Sequence, residues 1–269
     1  MTDPLLLSTG RRLYALTIAG SDSSAGAGVQ ADLAVFRRLG AEAACCVTAV
    51  TAQDERGVQA VFPLPSKAVE AQLLSGYHRK TPDCAKIGML WSPAIARAVA
   101  RQLRARRPRV VVLDPVLAAS AGGALAQPGL QTALEKFLFP LCDVITPNIP
   151  EAERFLGGTI ASVSDAQAAA VKLSQMTSCA VILKGGHLSS APGTDLVCLQ
   201  GQVAIIPPDP SFPGDFHGSG CIFSSALAIF LSQGQELVQA ARSAKAFVGG
   251  WATELYGKSS HALSVPPGR

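Results

Sequence analysis

The sequence has little charge and few aromatic residues for its length. Charged residues make up 16% and aromatic residues 6% of the 269 residues, whereas 48% are hydrophobic. A disordered chain carries more charge and fewer aliphatic residues, so this composition favours one large buried core. No apolar run approaches the roughly 20 residues that a membrane-spanning helix needs. We therefore expect a single domain over 1–269, with a loose tail over 1–11 and no membrane partner.

The sequence also lacks the cysteine spacings that are typical of metal sites and of disulfide frameworks. The seven cysteines form no CxxC pair and no evenly spaced framework. Thiolate metal sites and a disulfide scaffold are therefore not expected, and most cysteines are interpreted as small buried hydrophobes in a reducing compartment. The pair Arg11-Arg12 resembles part of a twin-arginine signal, but the apolar stretch that follows is too short for a signal-peptide core. The sequence predicts a cytoplasmic location.

One arginine cluster lies in a chain of net charge +4. Arg97, Arg101 and Arg104 are spaced by four and three residues. This spacing is typical of the solvated face of a helix. A nucleic-acid stripe is the alternative, but neither interleaved aromatic residues nor a recognised motif supports it. No nucleic-acid partner is expected.

Short apolar runs alternate with amphipathic stretches, and Gly or Pro marks the turns between them. Strands that alternate with helices predict a mainly parallel sheet with helices on both faces, the three-layer α/β/α class. The predicted strands are 13–19, 44–51, 58–62, 85–87, 110–113, 144–146 and 180–183. The predicted helices are 29–39, 66–78, 93–106, 129–137, 164–176, 221–232 and 236–255. Ser164 with Gln167 predicts a capping box, and the Pro-rich segment 207–214 predicts an ordered or lid-like loop.

A glycine-rich loop before an apolar helix is the most informative segment. It reads His217-Gly218-Ser219-Gly220-Cys221. Small residues let an anion approach the backbone, and the first N–H groups of a helix point at it. Such a loop can stabilise a transferring phosphoryl group; a simple turn with Ser219 as the N-cap is the alternative. Cys221 stands where a helix dipole lowers a thiol pKa.

A second glycine-rich turn follows the first predicted strand. It contains Gly26 and Gly28 but lacks the third glycine of the dinucleotide fingerprint and the Lys-Ser/Thr ending of a P-loop. At the carboxyl end of a strand it nevertheless lies where open parallel sheets bind ligands.

Polar side chains follow three further predicted strands. Asp114 follows one strand, Asn148 and Glu151 follow another, and Lys184 follows a third. Carboxylate oxygens suit Mg²⁺, and a lysine can pair with phosphate. Each residue alone is consistent with an ordinary turn, but their shared position at carboxyl ends favours a phosphate site.

Together these motifs resemble the hydroxymethylpyrimidine/phosphomethylpyrimidine kinase family of thiamin biosynthesis, within the ribokinase-like superfamily. The resemblance runs from about Ala15 to the last predicted helix. The matching motifs, in order, are Leu16-Thr17-Ile18-Ala19-Gly20-Ser21-Asp22, Gly28-Val29-Gln30-Ala31-Asp32-Leu33, Thr48-Ala49-Val50-Thr51-Ala52-Gln53, Lys86-Ile87-Gly88-Met89-Leu90, Asp114-Pro115-Val116, Thr146-Pro147-Asn148 with Glu151-Ala152, Lys184-Gly185-Gly186-His187 and His217-Gly218-Ser219-Gly220-Cys221.

The resemblance implies a ribokinase-like homodimer that phosphorylates a pyrimidine alcohol and its monophosphate with ATP and Mg²⁺. The implied pyrimidine site comprises Gly20, Asp32, Gln53, Met89 and Val116. An amide suits this site because it offers a donor and an acceptor to an aminopyrimidine edge.

The resemblance also implies the phosphate site. ATP is expected near Lys184, Asn148 and the loop 218–221, with Mg²⁺ near Asp114 and Glu151. Cys221 stands where the wider superfamily has its presumed aspartate base.

Several positions depart from the usual family pattern. Ala25 replaces a glycine, Leu117 a methionine and Ile222 a threonine. The segment Ala121-Gly122-Gly123 stands where the family tends to have Ser-Gly-Asp. Three alternatives therefore stay open: a kinase for the second phosphorylation only, a pyridoxal kinase-like enzyme, or a catalytically weak pyrimidine-binding sensor.

Overall fold

The strands of the computed structural model, which describes residues 12–54, 57–118, 123–209 and 216–256, form one sheet. They are β1 Tyr14–Asp22, β2 Glu42–Asp54, β3 Gly57–Pro63, β4 Cys84–Ile87, β5 Val110–Leu113, β6 Val144–Ile145, β7 Ala180–Leu183, β8 Asp195–Leu199 and β9 Gln202–Ile206. Their order across the sheet is β3-β2-β1-β4-β5-β6-β7-β8-β9. The neighbouring strands from β2 through β1 to β7 pair in parallel. The pairs β2–β3, β7–β8 and β8–β9 are antiparallel, and β3 and β9 are the two edge strands.

Helices cover both faces of the sheet. They are α1 Gly28–Arg38, α2 Ser66–Gly76, α3 Pro93–Ala105, α4 Leu130–Ala133, α5 Ile149–Leu156, α6 Val163–Thr177, α7 Ser219–Ser232 and α8 Leu237–Tyr256. The predicted helix 129–137 is split, because α4 passes into a π-helical turn, Leu134–Leu138. None of the helices in the described ranges combines the length and the apolarity that a membrane crossing requires.

Side chains that alternate along each strand separate two hydrophobic cores. Leu16 and Ile18 of β1 pack with α2 to α6, whereas Leu13 and Ala15 pack with α1, α7 and α8. Successive side chains of a strand point to opposite faces, so buried strands are apolar on both sides. The predicted three-layer α/β/α class is confirmed.

Two elements were not predicted from the sequence. The β8–β9 hairpin turns at Gln200 and Gly201, both of which have positive φ, as a two-residue hairpin turn requires. The helix α5 begins at a capping box in which Asn148 and Glu151 bond to each other's backbone N–H. The sequence does contain the Asn-x-x-Glu signature of this box, but polar residues after a strand also fit a ligand site, so the signature alone does not identify the helix.

The predicted capping box of α6 is wrong by two residues. Ser162, not Ser164, is the N-cap, and Asp165 completes the box instead of Gln167. The predicted tail 1–11 and positions 210–214 of the predicted loop lie outside the described residues, as do Ala121 and Gly122.

Two consecutive glycines after β7 test how closely the edge of the sheet is packed. A Cβ on Gly185 would lie 1.7 Å from the Thr194 carbonyl oxygen, whereas one on Gly186 would have no neighbour within 4 Å. We expect Gly185→Ala to lower the free energy of unfolding by about 1–3 kcal/mol, because the new Cβ would force the backbone at Thr194 to move. Gly186→Ala is the matched control and should change it little. Thermal unfolding of both variants measures the difference, and equal midpoints would contradict this packing.

Candidate active site

A cavity of about 490 Å³ lies along the carboxyl ends of the parallel strands. This volume falls within the usual range of small-molecule sites. Every predicted site residue except Asp32 lines it. They reach it because parallel strands end at the same edge of a sheet, where open α/β folds bind ligands.

The order of the strands lays the cavity out in three regions. Gln53 on β2, Gly20 on β1 and Met89 after β4 form one end. Asp114 after β5 and Lys184 after β7 form the centre. Residues at β8 and β9, among them Asp195 and Pro208, form the far end. A ligand spanning the cavity would therefore cross the central charges.

The first end carries an apolar surface around Met89. A Cβ on Gly20 would lie 2.8 Å from Met89 Sδ, so only a glycine leaves the methionine in this place. Met89 packs with Ala49 and Leu125, and the hydroxyl of Thr48 donates to its carbonyl oxygen at 2.6 Å. The surface suits a small aromatic ring.

An amide and an imidazole stand beside this apolar surface. His217 Nε2 lies 3.1 Å from Gln53 Nε2 and 2.8 Å from Asp22 Oδ2. Burial alone would raise the pKa of Asp22, but hydrogen bonds from His217, Ser24 and Ala27 lower it overall. The sequence predicts His217 only as part of the loop motif. Its contacts with Asp22 and Gln53 join residues far apart in the chain, and no local pattern predicts them.

The two glycine-rich loops touch through their backbones. A Cβ on Gly218, whose φ is +85°, would lie 1.9 Å from the Gly26 carbonyl oxygen. A Cβ on Gly28 would lie 2.4 Å from the Gly20 carbonyl oxygen. The first loop therefore fixes the position of the loop before α7.

The start of α7 has no side-chain cap. Gly218 is the N-cap, so the alternative of a turn capped by Ser219 is wrong. Gly220 and Cys221 in the first turn of α7 line the cavity, and no side chain caps this end of the helix. Such a helix start attracts an anion through its N–H groups and its dipole.

The predicted lowering of the Cys221 pKa is not what the structure shows. The thiol is half-buried, and burial raises its pKa above the ordinary value. Lys86 and the Gly28 N–H oppose the rise, whereas Asp32 and Asp114 add to it. Desolvation of the charged form outweighs the dipole of the helix.

The centre of the cavity holds an ion pair beside a buried carboxylate. Lys184 Nζ lies 2.7 Å from Asp114 Oδ1, and a Cβ on Gly220 would lie 3.0 Å from the same ammonium. Burial raises the pKa of Glu151 to about 7; Lys184 opposes the rise and Asp114 adds to it. Asn148 holds Glu151 in place, since its N–H donates to Glu151 Oε2 at 2.9 Å.

One predicted position needs correction, and the far end of the cavity adds residues that the sequence does not predict. Asp32 does not line the cavity: its side chain is fully buried and paired with Lys86, so the predicted direct contact with the substrate is wrong. At the far end, Lys245 of α8 bonds to Asp195 at 2.8 Å and also contacts the Gly193 carbonyl oxygen. Lys245 lies in none of the sequence motifs.

Comparison with known proteins identifies the family. The family model described as phosphomethylpyrimidine kinase matches residues 22–260. The chain belongs to the phosphomethylpyrimidine kinase family. The hydroxymethylpyrimidine/phosphomethylpyrimidine kinase of Haemophilus influenzae is 40% identical over 237 residues, which cover 87% of this chain and 88% of that protein. Other curated relatives are longer bifunctional thiamine biosynthesis proteins, and the chain spans about half of their length.

Solved structures confirm the ribokinase-like fold of this kinase. The phosphomethylpyrimidine kinase of Clostridium difficile 630 matches with a TM-score of 0.78 and 34% identity, covering 89% of this chain and 99% of that chain. The pyridoxal kinase of Staphylococcus aureus, solved with AMP-PCP and pyridoxal, matches with a TM-score of 0.77 and 34% identity over 89% and 87% of the two chains. The predicted resemblance is confirmed, and the chain is a phosphotransferase.

The raised pKa of Cys221 gives this kinase a measurable property. Because burial favours the neutral thiol, iodoacetamide should alkylate Cys221 slowly at pH 7. The rate should rise with pH through a midpoint above the value of about 8.5 for an ordinary thiol. Mass spectrometry of protein labelled between pH 7 and pH 10 measures this midpoint. A midpoint below the ordinary value would mean that the helix dipole dominates after all.

Proposed function

We propose that this kinase transfers the γ-phosphoryl group of ATP to 4-amino-5-hydroxymethyl-2-methylpyrimidine and then to its monophosphate, in thiamin biosynthesis. The observation that carries the proposal is the layout of one cavity. An apolar end with an amide side chain leads directly to an uncapped helix start and a charged centre. The names of the curated relatives support the same substrates.

The pyrimidine fits the end formed by Gly20, Met89 and Gln53. Its ring stacks on Met89, where Gly20 leaves space, and Val116 contributes to the same wall. The Gln53 amide bonds to the ring nitrogen and amino group, exchanging its contact with His217 for the substrate. The hydroxymethyl group then points toward the loop 218–221.

Phosphoryl transfer takes place at the start of α7. The hydroxymethyl oxygen forms a bond to the γ phosphorus, while the bond from that phosphorus to the bridging oxygen of ADP breaks. The hydroxyl proton passes to the Cys221 thiolate. The N–H groups of Gly220 and Cys221 stabilise the charge on the transferring group, which is the larger contribution in reactions of this kind.

The carboxylates in the centre fit Mg²⁺. Within the described ranges, no three His, Cys, Asp or Glu side chains gather closely enough to hold a metal by themselves. Mg²⁺ at phosphate sites is usually held by one or two carboxylates and by the phosphates. Asp114 and Glu151 match that donor set, and Mg²⁺ would neutralise phosphate charge there. Lys184 would exchange part of its pairing with Asp114 for a phosphate oxygen.

Pyridoxal is a second candidate substrate. The pyridoxal kinase of Staphylococcus aureus covers as much of this chain, at the same identity, as the phosphomethylpyrimidine kinase of Clostridium difficile. Pyridoxal also presents a hydroxymethyl group on a six-membered aromatic ring, so the same end of the cavity could accept it.

A parallel assay decides between these substrates. Purified enzyme with ATP and Mg²⁺ is given the pyrimidine alcohol, its monophosphate or pyridoxal, and release of ADP is followed. We expect turnover of both pyrimidines, with a kcat/KM at least about tenfold above that for pyridoxal, since about 1.4 kcal/mol from the Gln53 contacts suffices for that ratio. Turnover of the monophosphate alone would limit the enzyme to the second step. A preference for pyridoxal would overturn the proposal.

Two capping boxes allow a matched test of the metal site. Glu151→Gln keeps a side-chain oxygen for the Asn148 N–H but removes a charge from the centre. We expect it to raise the Mg²⁺ concentration for half-maximal rate by about tenfold or more, because a hard cation loses one anionic ligand. The equivalent change in the exposed box of α6, Asp165→Asn, is the control and should not affect it. If both variants need the same Mg²⁺ concentration for half-maximal rate, Glu151 does not belong to the metal site.

We also propose a cytoplasmic homodimer. All seven cysteines are free thiols, as a reducing compartment favours. At the β2–β3 edge of the sheet, Val50 and Phe62 pair across the strands and are 45% and 62% exposed. Burying this pair against a second copy is favourable. Light scattering of the purified chain should give twice 27.8 kDa; a single-chain mass would contradict the dimer.

A further inference from the structure

A buried ion pair lies beneath the cavity. Lys86 Nζ is 2.8 Å and 2.9 Å from the two carboxylate oxygens of Asp32, and both side chains are fully buried. The hydroxyls of Thr17 and Ser225 also donate to Asp32, at 2.5 Å and 2.8 Å. The carboxylate therefore accepts bonds from β1, β4 and α7.

Stability alone does not explain this pair. Removing two charges from water costs free energy that their attraction often fails to recover, and apolar replacements of buried pairs are frequently neutral or stabilising. Most of the surrounding side chains of the two cores are apolar. Since an apolar pair would serve stability as well, the two charges point to a further role.

The position of the ammonium suggests that use. Lys86 and Cys221 both line the cavity, although Asp32 does not. Ser225, which binds Asp32, lies one helical turn after Cys221 on α7. A Cβ on Gly88 would lie 3.0 Å from Lys86 Nζ, so the ammonium is packed tightly against the backbone after β4. Lys86 is thus fixed against Asp32, and Asp32 is bonded to α7 at Ser225, four residues after Cys221 on the same helix.

We propose that Lys86, held by Asp32, is a positioning residue that stabilises the thiolate of Cys221. Because the role concerns proton transfer to that sulfur, its catalytic consequence rests on the proposed function. Lys86 touches no substrate atom in this account. It acts through Cys221 by placing a fixed positive charge near the position where the thiolate must form.

Charged groups from several elements face Cys221. Lys86 from β4 lowers its pKa, as does the N–H of Gly28, whereas Asp32 from α1 and Asp114 after β5 raise it. Lys184 after β7 also interacts with the thiolate of Cys221. Lys86 is the strongest of these influences after burial itself. Loss of its charge should therefore move the titration of the thiol upward and lower the fraction of thiolate at any given pH.

The test measures alkylation of Cys221 in the substrate-free enzyme, so that it does not depend on which substrate is used. Lys86→Met removes the charge while keeping most of the side-chain volume. Cys45 on β2 is exposed and serves as an internal reference for reagent and pH. At pH 8 we expect the rate ratio of Cys221 to Cys45 to fall about tenfold, which corresponds to a rise of about one pKa unit. Ser225→Ala keeps both charges and is the control; its ratio should change little.

Lys86→Met leaves Asp32 unpaired, which could prevent folding. If Lys86→Met does not fold, the double variant Asp32→Asn/Lys86→Met is used instead, because both side chains of the pair are then neutral and no buried charge is left unpaired. Its ratio should also fall, because Lys86 influences the thiol more than Asp32 does. Kinetics add a second readout: kcat for the pyrimidine should fall at least about tenfold with nearly unchanged KM.

The outcomes are distinguishable. A fall in the Cys221 to Cys45 ratio supports the role of Lys86 even if the enzyme prefers another substrate, in which case only the proposed function fails. An unchanged ratio in a folded variant overturns the role of Lys86, whatever its activity, and leaves the ion pair as a purely structural element.

Discussion

Parallel pairing of the central strands is the constraint on which the active site depends. It brings the carboxyl ends of β1, β2, β4, β5, β6 and β7 to one edge, so residues spread from Gly20 to Lys184 meet in one cavity. The close contact of Gly26 with Gly218 then seats the start of α7 against that edge. A Cβ on Gly218 would lie 1.9 Å from the Gly26 carbonyl oxygen, and a Cβ on Gly26 would lie 2.5 Å from His217 Cδ2, so a side chain at either position would force the loop or His217 to move.

Charge is distributed unevenly over the site. The cavity centre carries Lys184 with two carboxylates, and a second lysine, Lys86, lies under Cys221 with one carboxylate. Each lysine is matched to an acid, which makes its burial tolerable. When ATP and Mg²⁺ bind, the central pairing can be exchanged for phosphate contacts, whereas Asp32 is fully buried and already bonded to Lys86, Thr17 and Ser225.

The sequence predicted what depends on local pattern and missed what depends on distance. Strand and helix periodicity gave the three layers, and the motifs at strand ends gave the centre and one end of the cavity but not its far end at Asp195 and Lys245. Asp32 was misplaced because a motif does not show which way a side chain points from a helix. The pKa of Cys221 was predicted with the wrong sign, since the dipole is visible in the sequence but desolvation is not. The sequence did not predict the β8–β9 hairpin, because its turn, Gln200-Gly201, lacks the usual Asn or Asp before the glycine.

The central claim is that the pyrimidine and the nucleotide meet over the start of α7. A crystal structure of the enzyme with Mg²⁺, a nonhydrolysable ATP analogue and the pyrimidine alcohol tests it most directly. The account predicts the hydroxymethyl oxygen within hydrogen-bond distance of Cys221 Sγ, with the terminal phosphate on the N–H groups of Gly220 and Cys221. A pyrimidine bound away from Met89, or a terminal phosphate remote from α7, would contradict it.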